Sequence, residues 1–89
     1  SGDVVIVSDE NVAPHWSASL LDAFARAGVQ AALVTLPAGE AHKRLDAIAR
    51  LYDEFLAAGL DRSGVVMALG GGVIGDMAGF AAATYLRGV

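Results

Sequence analysis

The sequence predicts an α/β domain with a parallel sheet, and three observations carry that expectation. Short apolar runs rich in β-branched residues alternate with stretches of helical period, the connections are short, and a triple glycine joins the last run to a final apolar helix. Strands that alternate with helices in this way lie parallel with right-handed crossovers, so the unit is a Rossmann-like βαβαβα. Ligands of such sheets bind at the carboxyl ends of the strands.

Asp3 to Ser8, DVVIVS, reads as a strand buried on both faces. Pro14 suits a first helical turn, and Trp16, Leu20, Phe24 and Ala27 recur at helical spacing up to Gly28, a good residue to follow a helix end. Ala31 to Leu36, AALVTL, is a second buried strand, followed by the loop PAGEAHK. Leu45, Ile48, Ala49, Tyr52, Phe55 and Leu56 then mark one face of a second helix, with Lys43, Arg44, Asp46, Arg50, Asp53 and Glu54 opposite and Gly59 as the stop. Ser63 to Leu69 gives the third strand, and Gly70 to Gly72 turn the chain into a third helix. That helix has no polar face: Val73, Ile74, Met77, Phe80, Ala81, Ala82, Ala83, Tyr85 and Leu86 surround it, the pattern of a helix covered on several sides.

At 89 residues the chain makes at most one small domain. Its hydrophobic content of 55% exceeds the usual range of about 45–50%, so it is expected to be part of something larger or to pair with a partner. A formal charge of −4 without a basic cluster argues against nucleic acid. No apolar run approaches the length of about 18 residues that a membrane span needs, and no signal-peptide pattern opens the chain. A soluble, cytoplasmic protein is expected. Without cysteine, disulfides, thiol chemistry and Cys-type zinc sites are excluded. His15 and His42 have no second histidine at ligand spacing, and no metal is assigned to the chain.

Three polar clusters fall at the carboxyl ends of the strands: Asp9 to Asn11, Glu40 to Lys43, and Gly70 to Asp76. A pyrophosphate approaches a backbone closely only where no Cβ intervenes, and the first turn of a helix offers free N–H groups and a positive dipole end. Gly70, Gly71 and Gly72 meet both needs. The letters also satisfy G-x-G-x-x-G, but that fingerprint belongs after a first strand and expects an acid about 20 positions on. A carboxylate beside a pyrophosphate is repelled, which assigns Asp76 to hydroxyl or amide donors of a ligand. The plainer alternative is that Asp76 favours the first turn of its helix through the macrodipole. The sequence alone leaves both open.

DENVA at 9–13, PAGEAHK at 37–43 and GGGVIGDMAGFAAATYLRG at 70–88, in this order and spacing, resemble the N-terminal domain of the 3-dehydroquinate synthase family. The third motif is long and specific. The resemblance implies a partial NAD-binding domain over residues 1–89 of a two-domain enzyme whose C-terminal helical domain, with the metal and most of the substrate pocket, is absent here. It implies an enzyme that uses NAD and a divalent metal, zinc or cobalt, to convert the phosphorylated keto acid DAHP to 3-dehydroquinate and phosphate in the shikimate pathway. Asp9, Glu10 and Asn11 then match positions on the adenosine side of NAD. Glu40 and Lys43 match a G-E-x-x-K element that meets the cofactor, where the plainer alternative is capping of the second helix. Gly71, Gly72 and Val73 match the pyrophosphate turn, and Asp76 matches an aspartate that contacts NAD. Arg87, in L-R-G, matches an arginine that reaches the substrate phosphate across a homodimer interface, chemistry that suits a guanidinium. The alternatives are another sugar-phosphate cyclase, a metal-dependent dehydrogenase of glycerol dehydrogenase type, which usually lacks V-I-G-D and Y-x-R-G, or a non-catalytic interaction module that docks through the third helix.

Overall fold

The computed structural model describes residues 2–37 and 44–87. Among these the chain runs β1 (Gly2–Asp9), α1 (Ala13–Arg26), β2 (Ala31–Leu36), α2 (Arg44–Ala57), β3 (Leu60–Leu69) and α3 (Gly72–Arg87). The strands form one parallel sheet in the order β2-β1-β3. β1 is therefore the central strand, and its run Val4–Val7 is no more than 7% exposed at any residue.

Register and pleat decide which side chains share a face. Val5 and Val7 lie opposite Ala32 and Val34 on one side and Val66 and Ala68 on the other. They project with Leu36 into a core closed by Leu51 and Phe55 of α2 and by Ile74, Met77, Ala78 and Ala81 of α3. Val4, Ile6 and Ser8 alternate to the opposite face, where a right-handed crossover places α1. At the far end of α3, the Tyr85 ring meets Phe55 edge-on with centroids 5.4 Å apart and stacks on Tyr52 at 6.3 Å. The Tyr85 hydroxyl donates to the Leu60 carbonyl at 3.3 Å, and Tyr52 and Thr84 share a hydrogen bond.

The helix ends follow the expected chemistry. Gly28 and Gly59 both have positive φ, 75° and 71°. After α1, Gly28 donates to the Ala25 carbonyl and Val29 to the Phe24 carbonyl, the paired bonds that close a helix on a left-handed glycine.

Three expectations change in detail. β3 begins at Leu60, not Ser63: Leu60 pairs with Gly2, then the register breaks before Val65 meets Val4. The extra residues form a tight turn in which Asp61 Oδ1 accepts from the Ser63 N–H and hydroxyl. On α2 the inward row is Ile48, Leu51, Tyr52 and Phe55, whereas Leu56 is 71% exposed. Leu56 follows Phe55 by one residue, about 100° round the helix, and so turns to solvent. On α1, Trp16 is 59% exposed while Ala13 is buried and Leu20, Leu21 and Phe24 are half-buried, because the seam runs beside Trp16 rather than through it. The outer face of α3 is uncovered by the described residues, with Phe80 59% exposed.

Candidate functional site

With β1 between β2 and β3, the chain leaves the central strand to one side and returns to the other. The crevice at such a reversal is where open α/β sheets bind ligands. Here it lies between the carboxyl ends of β1 and β3 and is flanked by two of the three polar clusters, the 9–11 loop and the glycine turn. The third cluster, with Glu40 and Lys43, lies outside the described residues.

The 9–11 loop is shaped by Asp9. Its Oδ1 accepts from the backbone N–H of Asn11 at 2.9 Å and of Val12 at 2.8 Å, which folds the loop back on itself just ahead of α1. The Glu10 N–H donates to the Leu36 carbonyl at 3.1 Å, so the loop remains stitched to β2 while the Glu10 and Asn11 side chains stand exposed. One Asp9 oxygen is thus committed to the fold.

The three glycines have separate duties. A Cβ on Gly70 would come within 3.2 Å of Ile74 Cγ1, so this glycine lets the first turn of α3 sit tightly against the strand end. A Cβ on Gly71 would meet nothing within 4 Å. That open side is the surface a pyrophosphate can approach. α3 begins at Gly72, and its first turn donates from Gly75 to the Gly71 carbonyl at 3.1 Å. The N–H groups of Gly72, Val73 and Ile74 precede that bond and by helix geometry have no intrahelical acceptor, so they form the positive end of the dipole. The turn therefore fits the pyrophosphate of a dinucleotide.

Asp76 stands one turn beyond Gly72, and the first turn of α3 contains no acidic residue. The macrodipole explanation for Asp76 consequently loses its basis, since that effect fades beyond the first turn. The carboxylate is exposed, on the side of α3 away from Ile74, Met77 and Ala78.

Arg87 is not brought to this crevice. It ends a helix of 16 residues, which puts its backbone about 22 Å along the axis from Gly72, beyond Tyr85, whose hydroxyl reaches the Leu60 carbonyl at the amino end of β3. Among the described residues no group of three or more His, Asp or Glu side chains that could hold a metal ion gathers. A cavity of about 700 Å³ opens at the amino ends of the strands, lined by Leu21, Ala25, Val29, Ala31 and Ala58. Apart from Gln30 its lining is apolar, it lies away from the polar clusters, and the chemistry favours the crevice instead.

Ser8, which in the sequence only closes a strand, sits at this crevice. It is fully buried, and its hydroxyl donates to the Leu69 carbonyl at 2.7 Å across the floor of the crevice. The available signal was a polar residue ending the run VVIV.

A parallel sheet whose reversal point is flanked by an acidic loop and a glycine turn opening a helix defines an α/β domain of the dinucleotide-binding class. Residues 33–89 match the family described as 3-dehydroquinate synthase N-terminal, and the chain belongs to that family. It is 48% identical to the 3-dehydroquinate synthase of Salinibacter ruber over 89 residues, all of this chain and 24% of that enzyme. It is 52% identical to that of Symbiobacterium thermophilum over 96% of this chain and again 24% of the enzyme. The chain thus spans about a quarter of the length of the curated relatives it matches. Among solved structures it resembles a 2-deoxy-scyllo-inosose synthase complexed with carbaglucose-6-phosphate, NAD+ and Co2+, with a TM-score of 0.84 and 26% identity over 99% of this chain and 24% of that one. The expected parallel α/β fold and family are those found.

Proposed function

We propose that this chain is the NAD-binding part of a 3-dehydroquinate synthase, a phosphate lyase that converts DAHP to 3-dehydroquinate and inorganic phosphate. The observation that carries this reading is the reversal-point crevice itself, where the glycine turn, with its open side at Gly71, and the Asp9 loop sit at the carboxyl ends of the adjacent strands β3 and β1. The names of the relatives supply the reaction.

In this reading Asp9 with Glu10 and Asn11 takes the ribose hydroxyls on the adenosine side, as carboxylate and amide acceptors suit. The N–H groups of the Gly71, Gly72 and Val73 stretch take the pyrophosphate. Asp76, too far along α3 to act as a dipole partner, takes hydroxyl or amide donors further along the dinucleotide. Glu40 and Lys43 add contacts from the loop after β2. Bound there, NAD would supply a hydride acceptor. In a homodimer the Arg87 guanidinium holds the phosphate of the sugar-acid substrate bound by a second copy, chemistry that suits its bidentate geometry. The divalent metal, zinc or cobalt, is held by residues outside this chain, and the 89-residue chain alone is inactive. The protein acts in the cytoplasm, without nucleic acid or membrane. No helix among the described residues is long and apolar enough to cross a bilayer.

The test compares the intact protein with the 89-residue chain alone. The intact protein binds NAD+ and releases phosphate from DAHP. The chain alone binds NAD+ weakly at most and releases none, and turnover by it would overturn the claim that the chemistry lies elsewhere. A second reading, a sugar-phosphate cyclase acting on another substrate, is favoured by the likeness to 2-deoxy-scyllo-inosose synthase. Phosphate release from glucose 6-phosphate but not from DAHP would select it.

A further inference from the structure

Among the described residues Ser8 is the one buried polar side chain, and the fold gives no reason for a hydroxyl there. β1 already runs Val4, Val5, Ile6 and Val7 through the centre of the sheet, and one more apolar residue would continue it. A buried hydroxyl is unfavourable unless it finds a partner. The Ser8 hydroxyl finds the Leu69 carbonyl at 2.7 Å.

The location of this bond is the informative point. Ser8 immediately precedes Asp9 and Leu69 immediately precedes Gly70, and the two are register partners in the sheet. The bond therefore joins the strand ends that carry the two clusters flanking the crevice. The Leu69 carbonyl also belongs to the planar peptide unit whose N–H is that of Gly70. Holding its oxygen fixes the plane from which the glycine turn departs. Glycines are the residues that least fix their own conformation. A turn made of them needs an external restraint at its base.

We propose that Ser8 is the positioning residue of the crevice: its hydroxyl sets the height and aim of the glycine turn, so that the turn and the Asp9 loop meet one dinucleotide pyrophosphate and ribose together. The proposal rests on the NAD reading above. It adds that the Ser8 bond serves the turn locally rather than the sheet as a whole.

The test uses Ser8→Thr and Ser8→Val in the intact protein, with Ser8→Ala as a variant that adds no volume. Thr and Val have nearly the same shape and disturb packing alike, but only Thr keeps the donor. Amide hydrogen exchange is followed over residues 69–76 and over β2, and the NAD+ dissociation constant is measured by titration. Relative to Ser8→Thr, Ser8→Val is expected to exchange faster at the turn and to bind NAD+ about three- to tenfold more weakly, the range that one hydrogen bond spans. Exchange in β2 stays unchanged, and Ser8→Ala behaves as Ser8→Val does. Equal exchange and affinity in the Thr and Val variants, or faster exchange spread evenly over all strands, would overturn the proposal. Wild-type protein that bound no NAD+ would instead overturn the cofactor reading, and exchange at the turn would still decide whether the Ser8 bond places it.

Discussion

At the amino end of the sheet, beside β3, the chain is closed by side chains packed on one another, whereas at the carboxyl end the crevice above Leu36 and Ile74 is shaped by backbone and by single hydrogen bonds. The amino end has Phe55 fully buried against Tyr85, Tyr85 bonded to Leu60, and left-handed glycines that turn the helices back into strands. The carboxyl end has one Asp9 oxygen gathering two N–H groups, one Ser8 hydroxyl, and a glycine turn with an open side. The difference separates stability from binding along one set of strands. Residues at the amino end can be ranked by what they bury, and those at the carboxyl end by what they leave reachable.

The largest effect that tests this division comes from Phe55→Ala. The side chain is fully buried and touches the ring of Tyr85, so its removal is expected to cost about 3–5 kcal/mol of stability, read from the urea midpoint. The molecules that remain folded keep their NAD+ affinity. A parallel loss of affinity would mean that the two ends are mechanically coupled. Gly71→Ala is the mirror image. The new Cβ meets nothing and the backbone is not left-handed, so stability changes by no more than about 0.5 kcal/mol. The methyl occupies the pyrophosphate's approach, and NAD+ affinity falls at least about tenfold, or 1.4 kcal/mol. Unchanged affinity would remove the pyrophosphate from this turn.

What was legible in the sequence divides along the same line. The elements, their order and the parallel sheet followed from periodicity and from Gly28 and Gly59, because local sterics decide them. Trp16 and Leu56 were misplaced because spacing alone does not say where a neighbouring layer lies, and a helix has apolar flanks as well as an apolar centre. The early start of β3 was hidden because Asp61 and Arg62 interrupt the apolar run and the register breaks there, although Leu60 already pairs with Gly2. The glycine turn and the Asp9 cluster were visible as chemistry. Their meeting at one crevice was not, since strand order is a property of the whole sheet. The split of duties between Gly70 and Gly71 likewise depends on Ile74, four residues on from Gly70, and on nothing that a glycine's own letter reveals.

Asp9 serves both ends of that distinction, and two variants separate its parts. Asp9→Ala removes the acceptor that holds the Asn11 and Val12 N–H groups and is expected to cost about 1 kcal/mol of stability, in addition to any loss of NAD+ affinity. Asp9→Asn keeps an acceptor oxygen for the Asn11 and Val12 N–H groups, so it preserves most of the stability, but loses the charge offered to ribose hydroxyls. Thermal midpoints and NAD+ titrations on the pair read the two roles separately. If Asp9→Asn lost as much stability as Asp9→Ala, the charge rather than the hydrogen bonds would be holding the loop.

The smallest expected effect belongs to Asp61, at the amino end, and its sign follows from its bonds. The Ser63 hydroxyl and then the Ser63 backbone N–H donate to the carboxylate and hold its pKa below the ordinary 3.8. Both bonds favour the charged form, so the folded state binds this proton more weakly than the unfolded chain does. The contribution is therefore complete above the ordinary carboxylate range and is lost as pH falls through the lowered folded value. Asp61 is fully exposed, so the effect is small and screened by salt. In Asp61→Asn the midpoint difference from wild type is expected to be visible near neutral pH, to shrink on acidification and to vanish once wild-type Asp61 is protonated. NAD+ affinity near neutral pH stays the same in both proteins, because this titration occurs at the end of the sheet away from the crevice. A midpoint difference that grew in acid would reverse the sign argued for the Ser63 bonds, and a changed affinity would show that the amino end reaches the glycine turn after all.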